Sequence, residues 1–247
     1  MSSTASAFDK LASTYDALWT DTTIGMLQRR AVWRRIDPLF EAGESILDIG
    51  CGTGVDALHL KARGVRVHGV DPSEEMIQIA RARGVAADRM RVEQLHTLGK
   101  TFDGVLSNFG ALNCERNLQR VSEGLAQLVR TGGYLALCLM GSFCLWETIH
   151  FLRYRSLRKA FRRVLRARPC SLGIHVYYPG TTTLVNALRP HFTLRRWYGI
   201  GIAVPPSYVK GWSSTTLQRL GRLDATVEGV PLIRSAADHR LYIFQRV

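Results

Sequence analysis

The run Ser45-Ile46-Leu47-Asp48-Ile49, followed at once by Gly50-Cys51-Gly52-Thr53-Gly54, limits what this chain can fold into more than any other stretch. Ile46 to Ile49 reads as a buried parallel strand, and three glycines in five positions let the backbone turn sharply and lie close to whatever sits above it. A helix from about Thr53 should follow. A second strand, Arg66 to Val70, ends on Asp71. This is a βαβ unit, and the acidic residue closing its second strand can accept both hydroxyl protons of a ribose.

Gly-rich turns of this kind also hold dinucleotides, whose pyrophosphate rests on the helix N-terminus. Asp48 argues against that ligand, because its carboxylate would repel a pyrophosphate by roughly several kcal/mol at ~4 Å and an effective dielectric of about 20. The same charge attracts the ammonium and sulfonium groups of S-adenosylmethionine (SAM). The spacing agrees, since Gly50, Gly52 and Gly54 give G-x-G-x-G and not G-x-G-x-x-G.

Leu47-Asp48-Ile49-Gly50-Cys51-Gly52-Thr53-Gly54 resembles the first motif of the class I SAM-dependent methyltransferases, and Val70-Asp71-Pro72-Ser73 resembles their acidic second motif. Phe8 to Asp16 is similar to the N-terminal segment of small-molecule members, quinone-pathway enzymes included. Phe102 to Asn113 is similar to their fourth strand and acceptor-side loop. The resemblance covers residues 8 to 140 well and the remainder weakly.

What the resemblance implies can be stated residue by residue. Asp48 and the backbone of Gly50, Cys51, Gly52 and Gly54 would surround the methionine moiety, and Asp71 would hold the ribose. Pro72 and Met76 would flank the adenine, with Glu93, Gln94 and Leu95 along its polar edge. Asn108 and Phe109 would lie where a backbone carbonyl takes the amino group, and Tyr15 would close over the cofactor. Arg91 stands where the family often has an acidic residue near the adenine amine, so adenine recognition here would rest on backbone groups.

A chain of 247 residues, 46% of them apolar, has room for one α/β domain with an elaboration. Met1 to Lys10 is small and polar and no run approaches the ~18 apolar residues that span a bilayer, so the expectation is a soluble, cytoplasmic protein. Five cysteines (51, 114, 138, 144 and 170) form an odd set without C-x-x-C spacing. Neither a disulfide framework nor a metal site is indicated.

Helices are expected over Ala5 to Leu18, Ile24 to Phe40, Thr53 to Arg63, Ser73 to Arg83 and Arg116 to Val129, alternating with strands near 66–70, 89–93, 103–108 and 133–140. That alternation means a doubly wound, mostly parallel sheet, closed by strands at Leu194 to Tyr198 and Leu241 to Arg246 as the family's antiparallel edge pair. The expected fold is therefore α/β, a Rossmann-like seven-stranded sheet in a single domain, with N-terminal helices over 1–40 and a helical cap inserted after strand five over 141–179.

The insertion holds much of the formal charge of +13, with eight cationic residues between 141 and 170 against Glu147 alone. Trp146, Ile149, Leu152, Leu157, Phe161, Val164 and Leu165 recur at near-helical spacing, and Arg155, Arg158, Lys159, Arg162, Arg163 and Arg166 populate the other side. This reads as a basic amphipathic helix or helix pair leaving the carboxyl edge of the sheet, well placed to cover an acceptor. The arginine face reads as a solvated surface, an attraction for anionic membrane lipid or an acidic lipophilic acceptor, or a contact for nucleic acid. Ser107-Asn108-Phe109-Gly110 stands where nucleic-acid methyltransferases of the Asn-Pro-Pro-Tyr type carry their motif, which disfavours nucleic acid.

Methyl transfer from a sulfonium is an in-line displacement that needs chiefly alignment and exclusion of water, worth ~7–11 kcal/mol. A general base is needed only for an acceptor that arrives protonated. His150, His175, Tyr177, Tyr178 and His239 are the candidates, and His175 with Tyr177 is the preferred pair because it ends the insertion. Trp146, Phe151 and Tyr154 could line an apolar acceptor pocket, with Ala203 to Tyr208 as a second wall. The expected activity is SAM-dependent methylation of a small hydrophobic or aromatic metabolite. An RNA methyltransferase and a non-catalytic SAM-fold protein are the alternatives, and the oligomeric state is left open.

Overall fold

The computed structural model describes residues 4–164, 167–169 and 173–247. Leu165, Arg166 and Cys170, which figured in the sequence reading, lie outside them.

Strand β1 (Ser45–Ile49) pairs in parallel with β2 (Arg66–Asp71) on one side and β4 (Phe102–Ser107) on the other. β3 (Ala86–Arg89) extends the sheet beyond β2, and β5 (Val129–Met140) extends it beyond β4. β9 (His239–Arg246) then runs antiparallel between β5 and β8 (Phe192–Ile200). The seven strands lie in the order β3-β2-β1-β4-β5-β9-β8, a mostly parallel sheet with an antiparallel edge pair as expected. The chain order reverses between β1 and β4, and such a switch point opens a crevice beyond the carboxyl ends of the strands.

Alternation along β1 divides the core. Ile46 packs with Val32, Ile36, Leu60 and Ile77 on one face of the sheet, whereas Leu47 and Ile49 pack with Val105, Leu125 and Leu135 on the other. With a side-chain period of two, Asp48 shares the face of Ile46 and is driven into the layer of helices α3 (Thr23–Ile36) and α4 (Val55–Ala62).

The N-terminal segment does not form the expected single helix. It divides into α1 (Thr4–Asp9), α2 (Ala12–Tyr15) and a π-helical turn over Asp16–Thr20. The break lets Asp9 accept from Ser73 Oγ at 2.6 Å and Asp16 accept from Thr53 Oγ1 at 2.9 Å, anchoring the segment over the crevice. Helix α3 is capped by Thr22, which accepts from Gly25 N at 3.0 Å, and it ends before Pro38, short of the expected Phe40. The third strand lies earlier than 89–93. Met90 N still donates to Asp71 O, but Arg91 N then turns to Gln94 Oε1 and a 3-10 helix runs over Val92–Leu98.

After α5 (Glu74–Ala82) and α6 (Leu118–Leu128), the insertion forms α7 (Leu145–Arg153), α8 (Leu157–Ala160) and a hairpin of β6 (Ala167–Pro169) with β7 (His175–Tyr177). Burial does not follow the apolar stripe of the sequence. Glu147 and Arg163 are buried, while Ile149, Leu152, Leu157, Phe161 and Val164 are exposed. The inward side is polar because Glu147 takes Arg162, Arg163 and Tyr208, and Arg163 continues to Asp238 at 2.6 Å. Helices α9 (Thr181–Leu188) and α10 (Ser214–Val227) complete the two layers. Among the described residues no helix is long and apolar enough to cross a membrane.

Candidate functional site

The glycine turn opens at the carboxyl end of β1. Gly50, Gly52 and Gly54 all have positive φ, at 72°, 53° and 83°. Gly50 lies so close to the next loop that a Cβ would meet Ala111 Cβ at 2.2 Å, whereas a Cβ on Gly52 would meet nothing within 4 Å. The turn is therefore packed from below and open above. Cys51 is buried against Gly69, and burial followed by the nearby Asp48 and Asp71 charges pushes its thiol up, out of reach of nucleophilic chemistry.

Asp48 is buried, and among the described residues its Oδ2 has no hydrogen-bond partner. Burial raises its pKa well above the carboxylate range, and repulsion from Asp56 adds to this against the pull of Arg29. Asp71 is also buried. It accepts from Gly52 N at 3.1 Å and from Ser73 N at 2.9 Å, yet burial still pushes its pKa up to about 6.

Next to Asp71 lies a cleft of about 240 Å³ lined by Pro72, Arg89, Met90, Arg91 and Gln94. Pro72 and Gln94, named from the sequence, meet there with Arg91. Glu93 is exposed on the 3-10 helix, Leu95 is buried in the core and Met76 is buried on α5.

The site is covered from the N-terminal side. Tyr15 is half-buried on α2, and its phenol is pushed up to about 12 by burial, against the opposing pull of Arg29. Arg83 clamps the carboxylate of Asp16 at 2.7 Å and also reaches Thr53 O at 3.1 Å. Trp19 stands edge-on to Phe109 with ring centres 4.5 Å apart, and the Arg29 guanidinium lies 4.9 Å and 5.1 Å from these two rings. Arg29 is buried and paired to Asp56, which also accepts from Trp33 Nε1 at 2.7 Å and Asn108 Nδ2 at 3.1 Å. Burial disfavours the Arg29 charge, but Asp56 raises its pKa above the ordinary value. Phe109 adopts φ 49°, rare for an aromatic residue, with its N–H on Asn108 Oδ1 at 3.0 Å.

Sequence reasoning missed Asp9, Asp16, Trp19, Arg29 and Asp56. Asp9 and Asp16 stood within the N-terminal segment that carried the resemblance, and were legible there; the Arg29–Asp56 pair joins two helices and left no local trace.

On the acceptor side, His175 is exposed on β7, and Tyr177 is half-buried with its carbonyl taking Asn113 Nδ2 at 2.6 Å. Among the described residues neither side chain has a hydrogen bond to the glycine-turn group. His239, by contrast, is buried opposite Met140 at the carboxyl end of β5. Its ring stands edge-on to Phe109 at 5.4 Å, and its Nδ1 lies 3.4 Å from Asp238 Oδ2. Asp238, although buried, is held well below the usual carboxylate range by His239 and Arg163. Of the second group of candidates, Tyr154 is exposed, Phe151 stacks on Tyr208 at 6.0 Å, and Trp146 donates to Ala203 O at 3.1 Å.

The arrangement fits a cationic nucleoside. An unpartnered buried carboxylate oxygen on Asp48, a glycine turn open at Gly52, the carboxylate of Asp71 on Gly52 N and a cleft lined by Pro72 all belong to the carboxyl ends of β1 and β2.

Known proteins agree with this geometry. The family described as a methyltransferase domain matches residues 46–133. The demethylmenaquinone methyltransferase of Clavibacter sepedonicus is 35% identical over 143 residues, covering 53% of this chain and 55% of that protein. The chain thus spans little more than half the length of that relative. The demethylmenaquinone methyltransferase of Mycobacterium sp. (strain JLS) is 31% identical over 180 residues, covering 70% of this chain and 74% of that protein. A SAM-dependent methyltransferase from Mesorhizobium loti shares the fold with a TM-score of 0.64 at 20% identity, over 91% of this chain and all of that one. With the paired motifs, the strand order and these relatives in agreement, the chain belongs to the class I SAM-dependent methyltransferase family.

Proposed function

We propose that this chain transfers a methyl group from SAM to a small apolar or aromatic acceptor, acting from the cytoplasm. The observation that carries the reading is the buried Asp48 oxygen without a partner, on the strand that leads into a glycine turn open at Gly52. Bound SAM supplies an electrophilic methyl on a sulfonium. Asp48 and the backbone of Gly50 to Gly54 hold its cationic methionine part, and Asp71 accepts the ribose hydroxyls. Pro72, Met90 and Gln94 border the base in the adjoining cleft. Trp19 and Phe109 exclude water beside the reacting atoms, and aromatic faces favour a neighbouring cation. Residues 1–40 cover the cofactor and 141–179 cap the acceptor.

For an acceptor that must lose a proton, we favour His239 over His175 and Tyr177. Its ring touches Phe109, and its Nδ1 lies 3.4 Å from Asp238 Oδ2. Two of the matched relatives are demethylmenaquinone methyltransferases, which supports an aromatic, lipophilic acceptor. Such a molecule partitions into lipid, and an anionic membrane surface is the partner that we propose to supply it.

Calorimetry with SAM and S-adenosylhomocysteine tests the cofactor assignment, and absence of binding to both overturns it. Mass spectrometry of lipid and aqueous cell extracts incubated with the protein and methyl-deuterated SAM then identifies the acceptor. Label appearing only in RNA would reject the small-molecule reading. His239→Gln should lower kcat by about a hundredfold with little change in KM, and an unchanged kcat would remove His239 from the chemistry.

A further inference from the structure

We infer that the outer face of α7 and α8 docks on an anionic lipid bilayer. Leu145, Ile149 and Leu152 follow one another at four and three residues and form one stripe of α7, and Leu157 on α8 is followed by Phe161 and Val164 in the turn beyond it. In a helix that packs on a protein core such a stripe is buried. Here all six side chains are exposed, between 41% and 64%. Tyr154, at the junction of the two sets, is 68% exposed.

The inversion has a physical cause. The inward side carries Glu147 of α7 and Arg163 of the turn after α8, which bond to each other, and their bonds to Tyr208 and Asp238 fasten that polar side to the body of the protein. The two helices pack together, Thr148 Oγ1 donating to Ala160 O at 3.3 Å, and Arg155 at φ 52° makes the turn between them. Both sets are thereby left facing outward.

Charge selects the occupant. Arg153, Arg155, Arg158 and Lys159 are exposed among the apolar residues. Glu147 is the one carboxylate between 145 and 164, and it is buried and already paired. Cations interleaved with leucine, isoleucine and phenylalanine, with a tyrosine at their border, match a surface of phosphate headgroups over hydrocarbon. A protein partner would need its own acidic and apolar pattern in register, whereas a bilayer presents both everywhere.

The docking stands on this surface alone. That it delivers an apolar acceptor to the mouth of the site rests on the proposed methyl transfer.

Co-sedimentation of the full chain with vesicles of phosphatidylcholine alone, and with vesicles containing added phosphatidylserine, tests the inference. Binding is expected to the second kind and to fall steeply as salt is raised. Leu152→Glu with Leu157→Glu should weaken binding at least about tenfold at any salt, and Arg153→Ser with Arg158→Ser should abolish the preference for phosphatidylserine by about tenfold. All four positions are exposed, so circular dichroism and SAM affinity should match wild type. Failure of the wild type to sediment with either vesicle overturns the docking. So does a wild-type dimer that the Leu157→Glu change disperses, because the face would then belong to a second copy. Vesicle binding without SAM binding would retain the docking and reject the proposed methyl transfer, whereas SAM binding without vesicle binding would reject the docking and the membrane partner and retain the methyl transfer.

Discussion

Thr53, inside the glycine turn, donates its hydroxyl to Asp16 at 2.9 Å across 37 positions of sequence. The N-terminal cover is thereby fastened to the turn that it closes, and Arg83 holds the other oxygen of the same carboxylate. Burial pushes the Asp16 pKa upward, but the hydrogen bonds from Arg83 and Thr53 outweigh it and hold the group below its ordinary value.

Asp16→Ala should release this cover. The expected result is a SAM affinity lower by about fivefold to tenfold, from the loss of a charged hydrogen bond at a partly exposed site, with global stability changed by only ~1 kcal/mol. Calorimetry and thermal unfolding of the same sample check both parts, and unchanged affinity would show that the cover does not act on the cofactor.

Asp48 sets binding against stability. A buried carboxylate with an unpartnered oxygen destabilises the ligand-free fold, so Asp48→Asn should raise its Tm by about 2–4 °C, the equivalent of ~1 kcal/mol in a chain of this size. The same change should weaken SAM at least about tenfold, because an asparagine cannot ionise to meet the sulfonium and ammonium. Scanning calorimetry with and without SAM separates the two effects. A lower Tm in the ligand-free variant would contradict the reading of Asp48 as a site built for a cation.

The pKa of Asp71, about 6 against an ordinary 3.8, fixes the direction of a pH effect. The ligand-free fold favours the protonated form, so this group's contribution to stability is largest below the unfolded value and declines as pH rises toward about 6. Ribose binding needs the ionised form, and the dissociation constant for SAM should therefore rise as pH falls below about 6, by up to tenfold per unit. Titrations between about pH 5 and pH 8 check this. Asp71→Asn should bind weakly throughout and remove the Asp71 step from the profile.

Asp56 collects Arg29, Trp33 Nε1 and Asn108 Nδ2 in the layer beneath the site. Asp56→Ala leaves the Arg29 charge buried without its partner, at a cost of ~3–5 kcal/mol. Chemical denaturation should show that loss. The double variant Asp56→Ala with Arg29→Met should recover much of it while leaving SAM binding impaired, since Arg29 also packs on Trp19 and Phe109.

By itself the sequence determined the βαβ unit, the glycine bend, the carboxylate closing β2 and the positions of seven strands, because each follows from local rules. Apolar runs of strand length, residues tolerant of positive φ and caps such as Thr22 and Ser73 act within a few positions. Tertiary structure decided what joins distant residues. The N-terminal helix breaks because Asp9 and Asp16 find partners 64 and 37 positions away. Asp56 is claimed by Arg29, and His239 comes to lie beside Phe109 because β9 enters antiparallel next to β5. The insertion shows the limit most plainly. Periodicity revealed an apolar and a basic side of the insertion, but the ion pairs of Arg163 with Glu147 and Asp238 decided that these charges would turn inward and leave the apolar side chains outside, since a buried charge is retained only where its partner waits.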